Sequence, residues 1–322
     1  MTKASDLPEW KDMPPIEGMP HGTAWGLFDK DGIRDEVGTL NLLTPSVVVA
    51  AGKEIQTGKS VVLNWGLEHV AEPGFGRIRL EHKIIDWRKI QDYYSYDDEI
   101  KLNPQAGSQW DGLRHFGHTE TGLYYNNIHH DDLLQTDRIG IDHWSKRGGI
   151  VGRGVLLDYC SWAERHGIEY NAMSRHCITV KDLEAVAKEQ GVTFMPGDLL
   201  IVRSGWIKWY NEHGQEDRIK YITNGKEYVG VEGSEETVEW LWNHHFSAIA
   251  GDAIGFEAWP PKLPRRIHDN ISLWGMPIGE LWDLEALSGE CEAQKRWSFF
   301  FTSAPLNLKG GVSSTPNALA VF

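Results

Sequence analysis

Short apolar runs separated by amphipathic, polar-faced stretches mark out the second half of the chain. Leu199-Leu-Ile-Val and Phe246-Ser-Ala-Ile-Ala are apolar for four or five positions and then stop at turn residues. Runs of that length suit strands covered on both faces. Gly152-Arg-Gly-Val-Leu-Leu begins a third. Between them the period changes. Thr179-Val-Lys-Asp opens a helix over 182–189, with Thr179 and Asp182 placed as a capping box and Gly191 closing it. A second helix is expected over 234–244, with Ser234 as its cap and Glu235 and Glu236 where the helix dipole favours them. A shorter helix is expected over 141–147. Earlier, Thr44 and Pro45 announce a helix, and Lys59-Ser-Val-Val-Leu-Asn-Trp is β-branched enough for a strand. Trp297-Ser-Phe-Phe-Phe-Thr and Ala318-Leu-Ala-Val-Phe add strands near the end. Helix followed by apolar strand, repeated, predicts α/β layering around a central sheet.

Two regions break the pattern. Residues 1–40 are rich in Pro, Gly and charge, and predict an irregular arm that wraps the surface and reaches toward a neighbouring subunit. Residues 67–103 have little periodicity and many charged and aromatic side chains. They read as a long, elaborated loop, a candidate lid, since loops of that length are usually functional or disordered. No repeat, low-complexity block or linker divides the remainder, so 41–322 is expected to be one domain. The pair Gly152 and Gly154 invites a dinucleotide reading. It is set aside because the glycines come before the strand, whereas the fingerprint needs strand, glycines, then helix.

Composition narrows the function classes. The 322 residues can bury a sizeable core. The balance of 32 Lys+Arg against 46 Asp+Glu gives −14, and no basic run appears. That argues against nucleic acid and anionic membrane surfaces as partners. No apolar stretch approaches the roughly 20 residues of a membrane helix, and the first residues lack the apolar core of a signal peptide. Cys160, Cys177 and Cys291 are odd in number and far apart, which fits reduced thiols in a cytoplasmic protein.

The candidate chemistry lies in three polar segments beyond apolar strands. One is 104–118, which holds Asp111 and His115 four residues apart, on one face if a helical turn joins them. Another is Gly251-Asp252 with Glu257 after it. The third runs from Arg265-Arg-Ile-His268 to Gly279-Glu280. Strand ends gather at the ligand crevice of open α/β sheets. Asp111, His115, His268 and Glu280 could then meet as an N/O ligand set suited to Zn²⁺ or Mn²⁺. Spacing alone does not single them out, because 14 His and 46 acidic residues make chance groupings easy. Each has an ordinary structural alternative as a cap, a satisfied interior imidazole or a surface pair.

Several segments together resemble the cyclase family of metal-dependent hydrolases, which includes kynurenine formamidases and isatin hydrolases. The family signature His-x-Gly-Thr-His-x-Asp-x-x-x-His is matched by Gln105-Ala-Gly-Ser-Gln109-Trp-Asp111-Gly-Leu-Arg-His115. Pro196-Gly-Asp-Leu-Leu-Ile-Val-Arg-Ser-Gly-Trp206, Gly251-Asp-Ala-Ile-Gly-Phe-Glu257, and His268 followed by Pro277-Ile-Gly-Glu-Leu-Trp resemble its later segments, in the family's order. The resemblance implies an α/β fold with a central mixed, barrel-like curved sheet and flanking helices. It also implies dimers or tetramers and a metal held by Asp111, His115, His268 and Glu280. Gln105 and Gln109 stand where two metal-binding histidines are expected. A carboxamide oxygen replaces imidazole poorly, so the expectation is at most one tightly held divalent ion, Zn or Mn.

The expected reaction is hydrolysis of an amide or lactone carbonyl in a small aromatic or cyclic substrate. His115 or Glu280 would move the proton. Gln109, Trp110, Tyr125 and Trp206, with Trp259, are candidates for substrate contacts, against core packing as the plainer role. Two other readings stay open: cyclisation or dehydration at the same site, and a catalytically silent ligand-binding member of the fold.

Overall fold

The computed structural model describes residues 4–70, 73–224, 226–261 and 266–322. Its frame is one nine-stranded sheet. In chain order the strands are β1 (Ser60–Val62), β2 (Gln109–Asp111), β3 (Ile150–Leu157), β4 (Leu199–Val202), β5 (Ala248–Gly251), β6 (Ile278–Glu280), β7 (Ser298–Ser303), β8 (Ser313–Ser314) and β9 (Ala318–Val321). Across the sheet they run β1-β9-β7-β3-β4-β5-β6-β2-β8. The middle four, β3 to β6, are parallel. Antiparallel strands flank them on both sides. The sheet is therefore mixed, and its curled form is the barrel-like α/β architecture expected.

The parallel strands are buried along their length, β4 and β5 at every position. Both faces are covered, which is why they read as unbroken apolar runs. The helices fall where the periodicity placed them. Thr44 caps Pro45–Ala51, accepting from the Val47 amide. The capping box of Thr179 and Asp182 opens Val180–Gln190, which ends at Gly191 in the left-handed region. Ser234 caps Glu235–Asn243. The short expected helix is Asp142–Lys146.

Three expectations are corrected. Gly152 and Gly154 lie inside β3 rather than ahead of it. A Cβ on Gly154 would sit 2.3 Å from the Phe299 ring of β7, so close strand packing explains the glycine. The segment around Asp111 is not helical. Gln109–Asp111 is a strand bonded on both sides, and a turn closed by His115 N donating to Gly112 O follows it. Within 67–103, the expected loop contains an antiparallel hairpin, Glu81–Asp86 with Tyr96–Lys101, whose side chains are mostly exposed.

The N-terminal arm forms short 3-10 turns and packs on its own chain. Trp10 is buried edge-on to Trp274, with ring centroids 5.9 Å apart, and Trp25 donates to Ser272 O at 2.7 Å. Both residues it meets belong to Asp269–Trp274, a helix buried at every position. His268 is the residue at the head of that helix. Arg265, three residues earlier, lies outside the described residues.

Candidate metal centre

Strand alternation builds one side of the site. In β2, Gln109 and Asp111 point to one face and Trp110 to the other. Register supplies the next residue. Glu280 of β6 stands opposite Gln109, and Gln109 Nε2 donates to Glu280 Oε2 at 2.5 Å. The buried helix then brings in His268. Its Nε2 lies 2.9 Å from Glu280 Oε1 and 3.8 Å from Asp111 Oδ2. Asp111, His268 and Glu280 each offer a ligand atom, all within 4.8 Å of one another.

His115 stands beside this trio and not in it. Its Nε2 is 3.8 Å from Oδ1 of Asp111, the oxygen that faces away from His268. Gln105 Nε2 bridges the pair, 2.6 Å from His115 Nδ1 and 3.1 Å from Asp111 Oδ1. Both glutamines thus spend their amide groups on the acidic and imidazole side chains of the centre. His268 Nδ1 meets Glu257 Oε1 at 2.9 Å, which fixes the ring and leaves Nε2 facing Asp111 and Glu280. Glu257 also accepts from the Ile267 amide at 2.6 Å. Glu257 belongs to the polar segment that follows Gly251-Asp252, but no local spacing links it to His268.

The donor set fits a divalent cation. Three carboxylates, of Asp111, Glu257 and Glu280, converge on one imidazole. Asp111 Oδ2 and Gln109 Oε1 are buried acceptors without a hydrogen-bond donor. Buried oxygens of that kind need a proton or a cation. The electrostatics agree. Burial pushes the Asp111 carboxyl up and Glu280 adds to the push, against His115 and His268. Burial works against charge on His268, yet Glu257 and Glu280 hold it well above its ordinary value.

A cleft of about 720 Å³ lies beside this centre, with Gln105 common to both. Phe75, Trp206, Tyr228 and Trp259 form much of its wall, and Gln105 and Leu281 join it to the ligands. Of the expected substrate contacts, Trp206 borders the cleft, though it too is buried. Trp110 and Tyr125 are core residues instead. Trp110 is fully buried, packs edge-on to Trp144 and Trp282, and donates to Ser303 Oγ at 2.9 Å. Tyr125 is fully buried with its hydroxyl on Asp35 Oδ2 at 3.0 Å. Tyr228, which no sequence pattern marks, also lines the cleft. Burial, followed by Glu280 and Glu257, raises its phenol well above the ordinary value, so it stays protonated beside the site.

A family model described as putative cyclase matches residues 75–258. The chain belongs to the putative cyclase family. The match spans more than half of its length and includes Gln105, Asp111, His115 and Glu257. A crystal structure described as a novel cyclase is 28% identical, with a TM-score of 0.80, over 93% of this chain and 99% of that one. Isatin hydrolase A from Ralstonia solanacearum is 18% identical, with a TM-score of 0.58, over 87% of this chain and 98% of the other. An isatin hydrolase bound to the product analogue thioisatinate is 13% identical, with a TM-score of 0.59, over 86% and 98%. At those identities the last two share the fold of the putative cyclase. No significant match is found among curated proteins.

Proposed function

We propose that this putative cyclase is a metal-dependent hydrolase of an amide or lactone carbonyl in a small, flat substrate. One observation carries the reading. Asp111 and Glu280 are buried and His268 half-buried, with their ligand atoms within 4.8 Å, beside an aromatic-walled cleft. These three would hold one divalent ion, Zn or Mn. When bound there, such an ion polarises a carbonyl and lowers the pKa of a water. The isatin hydrolases of similar fold favour a cyclic aromatic amide as the substrate type.

The chain's own residues divide the remaining work. Glu280 is engaged on both oxygens, by Gln109 on one and by His268 and the Phe256 amide on the other. His115 is freer, with part of its ring exposed, and can carry a proton between the attacking water and the leaving group. Gln105 orients that ring through Nδ1. Tyr228, a neutral phenol, can donate to the substrate. Trp206 and Trp259 exclude water from the ring of the substrate.

The test is metal content and turnover measured together on Asp111→Ala and His115→Ala, with arylformamides, cyclic imides and lactones as substrates. Asp111→Ala is expected to lose both metal and turnover. His115→Ala is expected to keep the metal and lose turnover by 10²-fold or more, the usual worth of a positioned acid–base. Turnover that survives in metal-free Asp111→Ala would sink the reading. Substrate binding without turnover in the metal-loaded protein would favour the silent ligand-binding alternative. Label from ¹⁸O-water must enter the product acid; its absence would favour cyclisation or dehydration.

A further inference from the structure

An arginine lines the cleft. Arg77 donates from Nη1 to the main-chain carbonyl of Gln105 at 2.6 Å, with its guanidinium 5.0 Å from the Phe75 ring centroid. Among the described residues it forms no ion pair. A guanidinium has five N–H donors in a planar fork, and a single carbonyl leaves most of them free.

Its position is tied to the metal centre through one residue. The Gln105 carbonyl holds Arg77, and the Gln105 side-chain amide holds Asp111 Oδ1 and His115 Nδ1. Arg77 and the Asp111–His115 pair are thus held by the two ends of one glutamine. The walls between are flat. The Tyr228 and Trp259 rings lie within 13° of parallel, with centroids 6.1 Å apart, and Trp206 and Phe75 add further faces. The Tyr228 hydroxyl feels Glu280, Glu257, Arg77 and Asp111 together, so these groups share one neighbourhood.

We propose that the cleft selects an aromatic substrate bearing a carboxylate, with the carboxylate received by Arg77 and the hydrolysable carbonyl over Asp111, His268 and Glu280. The proposal rests on the hydrolase reading for the second half of that statement only. Guanidinium and carboxylate match as a two-pronged, charge-assisted pair, and the aromatic walls lower the local dielectric around it. Lys226 also lines the cleft, but it is exposed. A solvated ammonium there discriminates less.

The experiment is calorimetric titration of the full chain, stripped with chelator, with benzoate and with neutral benzamide. Removing the metal first prevents a carboxylate–metal bond from standing in for Arg77. Wild type is expected to bind benzoate at least tenfold more tightly than benzamide. Arg77→Met should erase that preference while leaving benzamide unchanged, Arg77→Lys should keep part of it, and Lys226→Met should keep it all. Equal affinities in wild type, or no binding of either probe, overturn the proposal. Loss of both probes in Arg77→Met also overturns it, because Arg77 would then only hold the Gln105 carbonyl. Loss of the preference in Lys226→Met does so too. A kinetic arm separates this proposal from the hydrolase reading. The metal-loaded chain is given N-formylanthranilate and formanilide. Turnover of neither, nor of cyclic imides or lactones, with the benzoate preference intact, sinks the hydrolase reading alone. Equal turnover of both, with no benzoate preference, sinks the carboxylate proposal alone.

Discussion

Two glutamines decide what the centre can hold. Gln109 donates to Glu280, and Gln105 bridges Asp111 and His115, so each carboxamide stabilises an anion or orients a ring. An amide nitrogen is not a metal ligand, and the oxygens left over are weak ones. One ion per chain is the expected stoichiometry, to be measured by elemental analysis after loading with excess Zn²⁺ and, separately, Mn²⁺. Two ions would contradict it. Glu257 acts at one remove, by fixing the His268 ring through Nδ1. Partners of that kind typically change metal affinity 10- to 100-fold. Glu257→Gln should therefore weaken metal binding by that factor in a competition with a chromophoric chelator, with the thermal melt of the metal-free chain little changed.

The strands β2 and β6 form the working element. Their antiparallel register places Glu280 against Gln109, 171 residues away in sequence. A slip of one residue would turn Asp111 into the core and Trp110 into the site. Trp110 resists the slip. Its ring is locked between Trp144 and Trp282, and its Nε1 is bonded to Ser303. Farther along the sheet, β3 and β7 approach closely at Gly154, where any Cβ meets the Phe299 ring. Gly154→Ala should cost about 1–3 kcal/mol, the usual range for overpacking, read as a lower urea midpoint with an unchanged slope.

At the scale of the whole molecule, buried ion pairs tie the helices to the sheet. Arg203, just after β4, meets Asp158 at 2.9 Å and Glu285 at 2.8 Å. Burial works against charge on Asp158, but Arg203, Ser288 and the Ser161 amide outweigh it and hold the carboxyl below its ordinary 3.8. The sign follows. A depressed folded value means that this stabilisation is fully present above about pH 3.8 and is lost as pH falls through the lower folded value. Arg203→Met leaves a buried carboxylate unpaired and should cost about 3–5 kcal/mol at pH 7. The gap from wild type should narrow toward pH 4, as the stranded Asp158 takes up a proton. Urea unfolding at both pH values checks this, and a gap that widens in acid would refute it.

The sequence by itself determined the local elements and the family. Caps such as Thr179 with Asp182, and apolar runs such as Leu199–Val202, are settled by nearest neighbours in the chain, so they are legible there. Asp111, His268 and Glu280 were legible through the order of their segments, not through spacing. The strand at Gln109–Asp111 was not, because a three-residue strand takes its hydrogen bonds from β6 and β8, far along the chain. Nor did the sequence separate Trp206 on the cleft from Trp110 in the core, since both are large apolar rings. Which rings border the cleft, which histidine joins the trio and which arginine lines the cleft depend on packing between distant segments. Those facts exist only in the tertiary structure.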